Sequence, residues 1–180
     1  MFARTQRLTL RPGWIEDAPA LAAAIGHEAV VRNLSRAPWP YTLADAEAFV
    51  AGWQGDPGPN FLIFAHDGGR CDLIGGVGIG PLGDVPHMMG YWLTPSAWGR
   101  GYAVEAGRAA LDVAATLGIG RVVAGHYVDN PASGAVLRRL GFVATGTRSS
   151  IHARARGVDV ETIDYAIDLA ERRQDRRLAA

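Results

Sequence analysis

The stretch WGRGYAVEAG, residues 98–107, decides the fold. It sets Gly99, Gly101 and Ala103 at alternate positions just before VEAGRAALDVAATLG, an alanine-rich segment that reads as a long helix closed by Gly118. The first N–H groups of a helix have no intrahelical partners, and the helix dipole makes that end partly positive. Small residues let an anion such as a phosphate approach those groups, and Arg100 adds a full charge. The other reading is a tight strand-to-helix turn, and the residues downstream choose between them.

Upstream, HMMGYWLTP reads as a strand stopped by Pro95, which aims the loop. RLTLRP (7–12) alternates and reads as a first strand. WIEDAPALAAAIG and YTLADAEAFVAGW read as helices, the second opened by Thr42 and Asp45 at capping-box spacing. FLIFAHDGGRCDLIGGVGI holds two apolar runs around HDGGR, a hairpin signal. Downstream, RVVAGHYV reads as a strand. NPASGAVLRRLGF reads as a short helix with Asn130 as N-cap, Pro131 at its first position and Gly141 after its end. FVATGT and VDVETIDYAIDL close the chain as strands. The order β-α-α-β-β-β-α-β-α-β-β is a mixed α/β pattern with an antiparallel start.

Composition bounds the function. Arginine balances acidic residues 18 against 18, with no lysine, so charge offers no footprint for nucleic acid or an anionic membrane. No apolar run is long enough for a membrane helix, and the N-terminus lacks the apolar region of a secretory signal, so a cytoplasmic location is expected. The single cysteine, Cys71, excludes an internal disulfide and a cysteine-cluster metal site, and no metal is called for. Two rival phosphate motifs fail. GGVGIG (75–80) lacks G-x-G-x-x-G spacing and is followed by Pro81, so it reads as a strand whose glycines permit close packing or a bulge. A Walker loop needs G-K-[ST], which is missing.

GYWLTPSAWGRGYAVEA, followed about thirty residues later by NPASGAVLRRLGF, resembles the GNAT-type N-acetyltransferases, and within them the RimL-like subgroup. Residues 98–103 are similar to the family's acetyl-CoA pyrophosphate loop, [QR]-x-x-G-x-[GA]. Gly101 and Ala103 match it, and Trp98 stands where Gln or Arg is usual. The resemblance covers residues 7–168 and includes RLTLRP and PWPYTLADAEAFV. It implies a mixed, mostly antiparallel central sheet of about six or seven strands with helices on both faces and a splay between the fourth and fifth strands. It also implies acetyl-CoA as co-substrate, while length and the polar segment ERRQDRRLAA give one domain over residues 1–170 and a polar tail at 171–180.

The implied chemistry is direct attack of a primary amine on a held thioester, which needs no enzyme nucleophile and no metal. The implied cofactor residues are Trp92 and Leu93 beside the pantetheine arm, the loop Trp98, Gly99, Arg100, Gly101, Tyr102 and Ala103, and Asn130 and Ser133. Asn130 reads as an N-cap and, by resemblance, as a hydrogen-bond partner of the pantetheine arm. Many family members place a tyrosine acid seven residues after that asparagine. Leu137 stands there, so Ser133 becomes the candidate proton donor, against the plain reading of a first-turn serine bonding backbone.

The general base is not defined. Met88 and Met89 stand where relatives carry a glutamate, and His87 is the adjacent candidate, with His126, Glu161, His152 or a water relay behind it. Trp39 and Tyr41 are either a packed loop or the wall of the acceptor pocket. In the subgroup they fall on the acceptor side. The acceptor is a small-molecule or peptide amine, and a homodimer is left open. The alternative function is a CoA-binding regulator or sensor that lost turnover, motivated by the missing carboxylate and the missing tyrosine.

Overall fold

The computed structural model describes residues 1–53, 58–67 and 69–170. The expected tail at 171–180 lies outside the described residues. Among the described residues eight strands form one sheet: β1 (Ala3–Arg4), β2 (Leu8–Arg11), β3 (Phe61–Asp67), β4 (Arg70–Leu82), β5 (Val85–Leu93), β6 (Arg121–Tyr127), β7 (Val143–Ala153) and β8 (Val158–Asp168). Their order is β1-β2-β3-β4-β5-β6-β8-β7. Every neighbouring pair is antiparallel except β5–β6. The strand beyond the expected seven is β1, a two-residue pairing at the sheet edge.

Helices cover both faces. Helices α4 (Tyr102–Thr116) and α5 (Pro131–Leu140) pack over one face, around Ala106, Ala110, Leu111, Leu137 and Leu140. On the other face α1 (Ala18–Ile25) and α3 (Leu43–Ala51) pack on Leu62 and Phe64, and α2 (Glu28–Val31) caps a smaller cluster with Ile25 and Ala37. The local signals hold. Asp45 N–H donates to Thr42 Oγ1 while Asp45 accepts from the Thr42 backbone. Asn130 caps α5, and Gly118 and Gly141 take positive φ after their helices. GGVGIG runs inside β4, where a side chain at Gly78 would strike Asn60, and the strand shifts register between Gly80 and Leu82.

One feature of this sheet positions the site. The parallel ladder of β5 and β6 consists of Met88↔Val123 and Met89↔Ala124 only. Beyond it β6 stays paired with β8 as far as Tyr127, and β5 stays paired with β4 as far as Leu93. The two strands therefore part after Met89 and open a cleft toward the segment between β5 and α4.

Candidate active site

That segment begins with a 3-10 turn, Pro95–Ala97, after which Trp98 folds back and its indole N–H donates to the Leu93 carbonyl at 2.8 Å. Gly99 and Gly101 follow with φ of +71° and +79°, a region where a side chain costs roughly 1 kcal/mol or more. Gly101 is the N-cap of α4 and offers no capping side chain. The helix's opening N–H groups are thus left to whatever approaches the loop, and nothing lies within 4 Å of a Cβ built at Gly99. This is the donor set an anionic diphosphate requires, so the residues fit the acetyl-CoA that the sequence implies.

Two guanidinium groups flank the loop. Tyr102 is buried, and its ring meets Arg7 at 4.6 Å and Arg100 at 5.0 Å. Arg7 comes from the start of the chain. Its Nη1 donates to the Arg100 carbonyl at 3.0 Å, and its Nε and backbone N–H donate to Glu105 at 2.8 and 3.0 Å. Thr5 Oγ1 donates to the same carboxylate at 2.6 Å. Burial alone would raise the Glu105 carboxyl, but the hydrogen bonds from Thr5 and Arg7 reverse this and hold it below its ordinary value. Glu105 therefore clamps the N-terminal segment onto α4, beyond the dipole contact expected of a first-turn carboxylate.

Across the cleft, Asn130 Oδ1 accepts from the Ser133 N–H at 3.3 Å. The Ser133 hydroxyl does not turn back onto this cap. Its Oγ lies 2.7 Å from the Tyr91 hydroxyl oxygen, which also lies within reach of the Ser133 carbonyl at 2.9 Å. Tyr91 stands on β5 two residues past the last position that pairs with β6. Burial pushes its phenol up to about 12, against a smaller lowering by Ser133, so it is neutral at physiological pH.

Alternation along β5 puts His87, Met89, Tyr91 and Leu93 on the α4–α5 face, where Met89, Tyr91 and Leu93 join the main core. His87 is separated from Tyr91 by about 13 Å of extended strand, so the structure does not bring it to Ser133. Trp92 points to the opposite face, against the clusters under α1, α2 and α3. The side chains of Trp92, Leu93 and Tyr102 are packed rather than directed into the cleft. His126 is buried, with Nδ1 on the Tyr127 carbonyl at 2.9 Å. Glu161 pairs with Arg148, and His152 with Asp159. Tyr41 is packed with the clusters under α1–α3, whereas Trp39 remains 44% exposed.

Residues 7–143 match the acetyltransferase (GNAT) domain family. The chain belongs to the GNAT acetyltransferases. The GNAT chain is 28% identical over 148 residues to the uncharacterized N-acetyltransferase YoaA of Bacillus subtilis (strain 168), covering 79% of this chain and 82% of that protein. Among solved structures it is similar to the acetyltransferase from Salmonella typhimurium that modifies the N-terminal serine of 50S ribosomal subunit protein L7/L12. That match has a TM-score of 0.73 and 26% identity, and covers 91% of this chain and 96% of that one. It shares its fold with RimL, a ribosomal alpha-N-protein acetyltransferase solved in complex with coenzyme A, at TM-score 0.77 and 24% identity, covering 93% and 98%.

Sequence reading singled out the 98–103 loop and the Asn130–Ser133 turn but not Arg7 and Tyr91, which the structure packs against them. Both were inside quoted motifs, RLTLRP and GYWL. Their roles depend on contacts that no local spacing encodes.

Proposed function

We propose that this GNAT chain transfers the acetyl group of acetyl-CoA to a primary amine, at a peptide N-terminus or on a small molecule, by direct attack with both substrates bound. The observation that carries this reading is the uncapped N-terminus of α4 opening at the mouth of the β5–β6 cleft. Acetyl-CoA supplies an activated thioester carbonyl to the amine. The 99–103 loop would hold its diphosphate through backbone N–H groups, with Arg100 adjacent. Asn130 would meet the pantetheine arm while it caps α5. Ser133 would donate a hydrogen bond to the sulfur as the carbon–sulfur bond breaks, which lowers the cost of charge developing there.

His87, 13 Å or so along the strand, would deprotonate the amine only through ordered water. Trp39, exposed on the face that carries α1–α3, would form part of the acceptor wall. The Salmonella relative, which modifies an N-terminal serine, supports a peptide amine as the first acceptor to try. The test is acetyl-CoA-dependent thiol release across N-terminal peptides, aminoglycosides, polyamines and amino acids. Turnover with one class supports the reading, and CoA binding with no turnover on any would favour the regulator instead.

A further inference from the structure

We propose that the Tyr91 hydroxyl sets the direction of the Ser133 hydroxyl hydrogen, turning it outward to the sulfur of a bound thioester, and so acts as a positioning residue. The inference rests on the reading of Ser133 given above. A phenol has one hydrogen to give, and here it faces two acceptors, Ser133 O at 2.9 Å and Ser133 Oγ at 2.7 Å. If it goes to the carbonyl, the Ser133 hydrogen must turn back to the phenol oxygen, and Oγ offers only lone pairs outward. If it goes to Oγ, the serine hydrogen is released to point away from Tyr91. The carbonyl loses little by this exchange, because within α5 it already accepts a helical hydrogen bond. The second arrangement also polarises the serine, since a hydroxyl that accepts a hydrogen bond becomes a better donor.

The placement suits this role. Tyr91 lies just past the point where β5 leaves β6, and Ser133 lies in the first turn of the helix that follows β6, so the pair spans the cleft. The Tyr91 ring is packed with the main core, which fixes the oxygen in place. Its high pKa keeps the proton on the phenol, so Tyr91 orients the donor and is not itself the acid. The step balances on that basis. The nitrogen–carbon bond forms, the carbon–sulfur bond breaks with its electron pair on sulfur, the amine gives one proton to solvent and the thiolate gains one. Tyr91 and Ser133 begin and end protonated. Leu137, in place of the usual tyrosine, leaves this serine as the hydroxyl that needs aiming.

CoA itself is the probe. Thiolate absorbance is titrated against pH for CoA bound to the full chain carrying Cys71→Ser, which removes the protein's own thiol, and then with Tyr91→Phe, Ser133→Ala and both changes. Each single change is expected to raise the bound thiol pKa by about half a unit to one unit, a roughly three- to tenfold loss of thiolate stabilisation. The double variant is expected to match Ser133→Ala alone. Tyr91→Phe keeps the ring, and thermal unfolding verifies its fold. If that variant does not fold, a fluorinated tyrosine at position 91, a stronger donor, is expected to lower the thiol pKa. No shift in Tyr91→Phe, or the same shift in the Ser133→Ala background, overturns the inference and leaves the Ser133 reading standing. No shift in Ser133→Ala removes both, and failure of CoA to bind removes the proposed function as well.

Discussion

Arg7 and Glu105 are 98 residues apart in sequence, yet their side chains meet at 2.6 Å, with the Arg7 backbone N–H also on the carboxylate. The pair fastens the segment before β2 to the first turn of α4. It also holds a guanidinium group 3.6 Å from where a Gly101 side chain would begin. The same contacts serve fold and site, because the loop they brace is the one that presents the α4 N–H groups.

Arg7→Ala should therefore act on both. Arg7 is partly exposed, so the stability loss should be about 1 kcal/mol, while the acetyl-CoA KM should rise several-fold, on the order of 1 kcal/mol of binding. The pH dependence has a definite sign. The Glu105 carboxyl is held below its ordinary 4.5, so its stabilisation is present above that pH and is lost as the pH falls through its lowered folded value. Thermal unfolding should show the wild-type and Arg7→Ala melting temperatures converging on acidification below 4.5. A constant gap between them would mean that Glu105 is not the partner that matters.

Gly101→Glu combines a strained φ with a negative charge at the helix N-terminus. CoA affinity should fall more than tenfold, about 1.4 kcal/mol. Gly101→Ala separates the effects: a Cβ there would meet the Arg7 guanidinium only at ordinary contact distance, 3.6 Å, so it should cost roughly 1 kcal/mol of stability, from backbone strain. Unchanged CoA affinity by calorimetry in a folded Gly101→Glu variant would remove this loop from the cofactor site.

What could be read from the sequence was local. The Thr42–Asp45 box, the Asn130–Pro131 start and the Gly118 and Gly141 stops are set by residues within one turn of each other, and all are found. Helix α4 begins at Tyr102, two residues before the alanine-rich pattern suggests, because Gly101 itself forms the cap. Helix α2 and strand β1, four and two residues long, are too short to show a periodicity. Arg7 and Tyr91 find their partners 98 and 42 residues away, so no spacing along the chain announces them. The 39–41 segment was least legible, since Trp39 and Tyr41 stand two apart in one motif yet have different surroundings.

The difference between Trp39 and Tyr41 yields a prediction. Trp39→Ala should raise the acceptor KM and leave folding and acetyl-CoA binding nearly unchanged. Tyr41→Ala should cost about 2–4 kcal/mol of stability through lost packing, so Tyr41→Phe is the better probe of its hydroxyl. Equal loss of acceptor and acetyl-CoA binding in Trp39→Ala would assign that ring a structural role.

Ser133→Ala should lower kcat by roughly ten- to a hundredfold, at or below the low end of acid–base assistance, because a serine is a weak donor. Acetyl-CoA binding should hold, since Asn130 and the 99–103 loop are untouched. Wild-type kcat in Ser133→Ala, with chemistry shown to be rate-limiting, would reduce Ser133 to a helix-start residue.

The most direct measurement is a paired one: mass spectrometry of the acceptor and thiol assay of released CoA, in one reaction of wild-type chain, acetyl-CoA and a peptide with a free N-terminal serine, repeated with a polyamine and an aminoglycoside. For at least one acceptor the account predicts one acetyl group gained on nitrogen per thiol released, and a parallel fall of both signals in Gly101→Glu at sub-saturating acetyl-CoA. Tight CoA binding with neither signal on any acceptor, or thiol release with no acetylated amine, would contradict it.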